Sequence, residues 1–140
     1  MTANLFVYGT LMPGAQTHLG APQRARLARE SRLLGSAQMQ GRLYDLGDYP
    51  GAIESADPSM VVHGEVVSLL DPAATWRWLD DYEGIAPGDP DPEYARRLCP
   101  VRLSNSDATA WVYLYRWPTH RGRLIAAGRW QPTAEGRPRT

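Results

Sequence analysis

An α+β fold built on a curved sheet or small barrel is what this sequence predicts, and three observations predict it. Short runs rich in β-branched and aromatic residues recur along the chain. One segment, after Asp71, carries a full set of helix signals. Glycines fall where a sheet must bend.

The elements follow in order. Residues 4–8 read as a strand that breaks into a loop at Gly9, where a missing Cβ lets the backbone turn and a ligand approach the main chain. Residues 22–32 are Arg- and Ala-rich and weakly helical, with Leu27 as apolar anchor. Residues 33–46 suggest one or two bent strands, and residues 48–51 a turn. Residues 61–70 form the clearest strand. The main helix then starts with Asp71 as N-cap and Pro72 in the first position, and Gly84 stops it. Trp76, Leu79, Asp80 and Glu83 share one of its faces. The proline- and acid-rich stretch 86–92 is a loop. Residues 94–103 and 109–116 form a hairpin turning at 105–107, with Trp111, Tyr113 and Tyr115 on one face and Val112 and Leu114 on the other.

Bulk properties exclude several function classes. The 140 residues suit one domain, assigned to 1–132, with a flexible tail at 133–140. Formal charge is zero, which argues against bulk attraction to nucleic acid or anionic lipid. The single cysteine, Cys99, reads as a small core residue and cannot form an intrachain disulfide or a cysteine zinc cluster. His18, His63 and His120 lack metal-site spacing. No stretch has signal-peptide character or membrane-spanning length, so a cytoplasmic location is expected. The chain has no lysine, which removes Schiff-base chemistry and the P-loop, although Gly9 and Gly14 carry the glycine spacing of the latter.

Two sets of residues can carry chemistry. Glu83 lies on the apolar stripe of the main helix, where lost hydration would raise its pKa toward neutrality. The opposite reading, an exposed Glu one residue before the helix stop, fits the same pattern. Asp80 competes with Glu83 as acid/base or serves as its orienting partner. Tyr94 and Arg96 share a strand face and together suit a carboxylate-bearing ligand, or else are a surface pair.

These blocks occur in a recognisable order. Tyr8-Gly9-Thr10-Leu11 is followed by Gly41-Arg42-Leu43-Tyr44-Asp45-Leu46 and Tyr49-Pro50-Gly51, then by His63-Gly64-Glu65-Val66. Leu79-Asp80-Asp81-Tyr82-Glu83-Gly84, Tyr94-Ala95-Arg96, Trp111-Val112-Tyr113 and Ile125-Ala126-Ala127-Gly128-Arg129-Trp130 complete the set. In this the chain resembles the gamma-glutamylcyclotransferase-like family, in its AIG2-like branch, over residues 4–130. Arg129 departs from the pattern, since many relatives have Asp before the closing Trp.

The resemblance implies a small mixed β-barrel flanked by one main helix and short helices. It implies substrate contacts from Tyr8, Gly9, Thr10 and Leu11 through backbone groups, a pocket position for Tyr94, and an acid/base role for Glu83. The implied reaction cyclises the γ-glutamyl group of a γ-glutamyl amine or amino acid to 5-oxoproline and releases the amine. The nucleophile belongs to the substrate, so no metal or cofactor is called for. The implied partner is a small-molecule γ-glutamyl substrate, with no nucleic acid and no membrane; the oligomeric state stays open. Two other readings remain: a non-catalytic small-molecule binder on the same fold, and a nucleic-acid-binding barrel suggested by the C-terminal arginines near Trp117 and Trp130.

Overall fold

A computed structural model of the chain describes residues 3–15 and 18–130. Nine elements follow one another: β1 (Ala3–Val7), α1 (Ala21–Glu30), β2 (Ser31–Asp45), β3 (Pro50–Glu54), β4 (Val61–Leu69), α2 (Pro72–Tyr82), β5 (Tyr94–Leu103), β6 (Ser106–Tyr115) and β7 (Arg123–Leu124). The expected tail at 133–140 lies outside the described residues.

Five strands close into a mixed barrel in the order β1, β4, β2, β5, β6 and back to β1. Most neighbours are antiparallel, but the closing contact between β1 and β6 is parallel, at Leu5 and Trp111. β3 lies along β2 and touches β6, and β7 adds a two-residue pairing to the end of β2.

The barrel has two apolar layers, and strand alternation supplies both. Phe6, Met39, Leu43, Val62, Val66 and Val112 fill the interior. Leu5, Val7, Val67 and Leu69 point outward, where they meet Leu27 of α1 and Leu79 of α2. A strand buried on both faces must be apolar throughout, which accounts for the unbroken run Leu5-Phe6-Val7-Tyr8. The hairpin faces divide as the alternation predicts: Val112 and Leu114 enter the interior, while Tyr113 packs under α2. Cys99 is buried in the interior layer.

Sequence and structure differ at four places. α1 ends at Glu30, because Ser31 turns extended and its hydroxyl donates to the Leu27 carbonyl at 2.6 Å. Residues 31–45 form one long strand, with a register irregularity between Leu33 and Gly35 in place of a break. The predicted turn at 48–51 lies earlier, closed by Leu46 N–H donating to the Tyr49 carbonyl, so that Pro50 and Gly51 open β3. Pairing with β2 overrides their poor strand propensity. The hairpin turns at Ser104 and Asn105, since pairing persists to Leu103 and Ser106.

Candidate active site

α2 fixes the position of Glu83. Asp71 caps its start by accepting from the Ala74 N–H, and Pro72 occupies its first turn. The fully buried Leu79 anchors its inner face. Glu83 is the C-cap residue, with its N–H donating to the Leu79 carbonyl at 2.9 Å. Gly84 then takes φ of 83°, a left-handed conformation that releases the chain from the helix.

The Asp80 carboxylate ties this last turn to the barrel. It accepts from Tyr113 Oη at 2.6 Å and from Arg96 Nε and Nη2 at 3.0 and 3.1 Å. The Arg96 guanidinium also lies 3.9 Å from the ring centre of Trp76, one helical turn before Asp80. Arg96 and Tyr94 share a strand face as predicted, yet Arg96 is committed to α2 and is not part of the cavity wall. Nor is Asp80, whose place is that of an anchor behind the wall.

A cavity of about 290 Å³ opens between the end of β1, the loop after it, β3, and the ends of α2 and β5. Tyr8, Gly9, Thr10 and Leu11 form one wall; Glu83 and Tyr94 belong to the same cavity. Tyr49, Pro50, Tyr82, Glu93 and Tyr113 also line it. The lining contains no arginine or histidine among the described residues.

The loop after β1 is held by a few specific contacts. Met12 N–H donates to the Gly9 carbonyl at 3.1 Å, closing a turn over Thr10 and Leu11, whose own N–H groups have no protein acceptor among the described residues. Arg24 of α1 braces the loop by donating to the Thr10 carbonyl at 2.8 Å. Gly9 is not left-handed; a Cβ there would lie 2.9 Å from Pro50 Cγ, so packing rather than backbone twist requires the glycine.

The tyrosine hydroxyls are already engaged. Tyr8 donates to the Tyr113 carbonyl at 2.6 Å and accepts from the Ala52 N–H, and Tyr94 donates to the Pro50 carbonyl at 2.7 Å. Burial raises the pKa of Tyr8, Tyr94 and Tyr113 above the ordinary phenol value, so all three are neutral donors with occupied partners. Glu83 differs: among the described residues its carboxyl has no hydrogen-bond or ion-pair partner. It keeps some exposure through the cavity, but loss of hydration, followed by the nearby Glu93 and Asp80, pushes its pKa up from 4.5 to about 8. A helix C-terminus disfavours the anion as well. Such a carboxyl can take and return a proton near neutral pH.

Glu93 and Tyr49 are the site residues that sequence reasoning missed. Tyr49 Oη donates to Glu93 Oε2 at 2.6 Å, across 44 positions of sequence. Nothing local distinguishes Tyr49 beyond its Tyr-Pro-Gly sequence, and no pattern marks Glu93 at the edge of an acidic loop. Among the described residues, no group of acidic, His and Cys side chains could hold a metal ion, and no helix is long and apolar enough to cross a membrane.

Comparison with known proteins agrees with this architecture. The family profile described as gamma-glutamyl cyclotransferase, AIG2-like, matches residues 5–132. A putative gamma-glutamylcyclotransferase of Vibrio cholerae is 37% identical over 129 residues, covering 90% of this chain and 93% of that protein. The gamma-L-glutamyl-butirosin B gamma-glutamyl cyclotransferase of Niallia circulans is 32% identical over 80% of this chain, which spans 66% of that protein's length. The solution structure of ytfP from Escherichia coli superposes with a TM-score of 0.61 at 30% identity, over 91% of this chain and 95% of that one. With its barrel, its loop after the first strand and nearly its whole length matched, this chain belongs to the gamma-glutamyl cyclotransferase, AIG2-like family.

Proposed function

We propose that this protein is a gamma-glutamylcyclotransferase-type enzyme that converts the γ-glutamyl group of a γ-glutamyl amine or amino acid to 5-oxoproline, releasing the amine. The observation that carries this reading is one cavity lined both by Glu83 and by the Thr10-Leu11 turn, whose carboxyl and N–H groups respectively have no protein partner among the described residues.

The reaction balances without water or cofactor. The substrate's α-amine nitrogen attacks the γ-carbonyl carbon, a five-membered ring closes, and the original amide C–N bond breaks. Glu83 accepts a proton from the α-ammonium, which frees the nitrogen lone pair. It then returns that proton to the departing nitrogen, and the second proton shed by the ring nitrogen as the lactam forms also passes to the released amine, which leaves as an ammonium. The turn N–H groups hold the substrate carboxylate or the oxyanion of the tetrahedral intermediate. Pressing the amine against its own carbonyl contributes on the order of several kcal/mol toward the barrier. The raised pKa of Glu83 suits a group that must serve as base and then as acid.

Release of 5-oxoproline from a panel of γ-glutamyl amides tests the reaction, and Glu83→Gln tests the residue. The variant should fold and bind the amides while turnover falls by about 10²-fold or more. Turnover at the wild-type rate would remove Glu83 from its role. Binding of amides without 5-oxoproline release from any of them would favour a non-catalytic binder.

A further inference from the structure

The geometry points to a cation-binding subsite at the cavity mouth, built from Glu93 and Tyr49, which takes a leaving amine that carries a second positive charge. This inference rests on the cyclotransferase reading of the cavity and narrows its substrate class.

The cavity has a chemical polarity. One wall is the turn over Thr10 and Leu11, whose N–H groups have no protein acceptor among the described residues, with the Arg24 guanidinium donating to the Thr10 carbonyl. That end suits the carboxylate of a glutamyl group. The mouth is the opposite. Tyr49 lines the cavity yet is 42% exposed, so it stands at the opening, whereas Tyr82 belongs to the loop end, its hydroxyl and the Thr10 side chain both lying against Gly20. Glu93 stands with Tyr49, fixed through Oε2 by its hydroxyl at 2.6 Å, and no hydrogen bond from a described residue reaches its other oxygen.

Charge complementarity then constrains the substrate. A γ-glutamyl amide of a neutral amine brings one carboxylate and one ammonium. The cavity holds two carboxyls, Glu83 and Glu93, and no cationic side chain among the described residues. The α-ammonium accounts for Glu83, and Glu93 is left facing the part of the ligand that extends through the mouth. An ammonium on that part would meet the Glu93 carboxylate beside the Tyr49 ring, a combination of ion pair and cation–π contact. Arg116, whose backbone N–H donates to the Glu93 carbonyl, does not compete for it, because its guanidinium is held by Asp91 and the Pro92 carbonyl.

The test uses two amides of matched length, the γ-glutamyl amides of diaminobutane and of pentylamine, which differ only in a terminal ammonium against a methyl. Affinities are measured by isothermal titration on the Glu83→Gln protein, so that no turnover intervenes. The diaminobutane amide should bind about tenfold more tightly, and the ratio should fall to about one when Glu93→Gln is added. Glutamine can still accept from Tyr49, which separates loss of charge from loss of structure. Equal affinities in the Glu83→Gln protein, a preference that survives Glu93→Gln, or failure of both amides to bind would each overturn the subsite. Assay of 5-oxoproline from both amides with the wild-type enzyme keeps the two inferences apart. A tenfold binding preference without any product would sink the reaction and uphold the subsite.

Discussion

Tyr113 and Asp80 meet across 2.6 Å, hydroxyl to carboxylate, and join the C-terminal part of β6 to the last turn of α2. Arg96 closes on the same carboxylate with two further hydrogen bonds, and its stacking on Trp76 holds the helix a second time. Glu83, three residues on, therefore inherits its position from a partly buried charge cluster. Asp80→Asn should cost about 1–3 kcal/mol of stability, since it leaves Arg96 without its full partner. Removing a negative neighbour should also lower the Glu83 pKa and shift the rising limb of kcat/KM to lower pH. Arg96→Lys, which keeps charge but not the fork, should fall between wild type and Arg96→Met in denaturant midpoint.

With Glu83 in its proposed acid/base role, the pH dependence of activity follows from the protonation state it needs. In the free enzyme the base form appears as pH rises through about 8, so kcat/KM should climb through that region. Once substrate is bound, its α-ammonium favours the carboxylate, and the corresponding limb of kcat should lie lower. Initial-rate profiles from about pH 6 to pH 9 check both limbs. A flat kcat/KM across that range would exclude an acid/base with this pKa.

Stability should carry the same signature with its own sign. Glu83 has its folded pKa raised from 4.5 to about 8, so between these values the folded state holds a proton that the unfolded state has lost. Stability from this group is present below about pH 4.5 and is lost progressively as pH rises through about 8. Glu83→Gln has no such proton to lose. The difference in urea midpoint between the variant and wild type should grow in the variant's favour from about pH 5 to pH 9.

Thr75 makes a prediction at the acid end. It is fully buried in α2, and its hydroxyl donates to Glu30 Oε1 at 2.6 Å, beside a bond from Trp78 Nε1. Desolvation of Glu30 opposes ionisation, but the bonds from Thr75, Trp78 and Arg26 outweigh it and hold the carboxyl below its ordinary value. That contribution is present above the ordinary carboxylate pKa and is lost as pH falls through the depressed folded value. Thr75→Val keeps the volume and removes one bond, so it should cost about 1–2 kcal/mol at neutral pH. Its penalty should shrink as acid protonates Glu30, which acid titration followed by circular dichroism reads directly.

Gly9 offers a test of loop placement. A Cβ there meets Pro50 Cγ at 2.9 Å and Cδ at 3.1 Å, and Pro50 is itself held by Tyr94 through its carbonyl. Gly9→Ala should lower kcat/KM by about tenfold or more and cost about 1–3 kcal/mol, because neither ring nor loop can yield freely. At Gly14 the nearest atom to a Cβ is 3.7 Å away, so Gly14→Ala should change little.

Much of this was legible where local signals and tertiary demands agree. Asp71, Pro72 and Gly84 delimit α2, and the stripe from Trp76 to Glu83 faces inward as its spacing indicates. β3 was illegible because Pro50 and Gly51 carry a turn signature, and only neighbours from β2 and β6 make them a strand. Arg96 was read to the correct face, but no spacing could tell that Asp80 and Trp76 would take its guanidinium. Glu93 acquires its place through Tyr49, a partner that only the folded chain brings near.

The parallel contact between Leu5 and Trp111 has a consequence for how the protein is made. The first strand emerges from the ribosome long before the strand that completes its surroundings. The glycine loop after Val7 cannot settle until almost all of the chain has been synthesised. Contacts this distant in sequence slow folding, so the barrel should assemble late and in one cooperative event. Truncation before β6 would then leave a nascent chain with a sticky, unpaired edge instead of a smaller barrel.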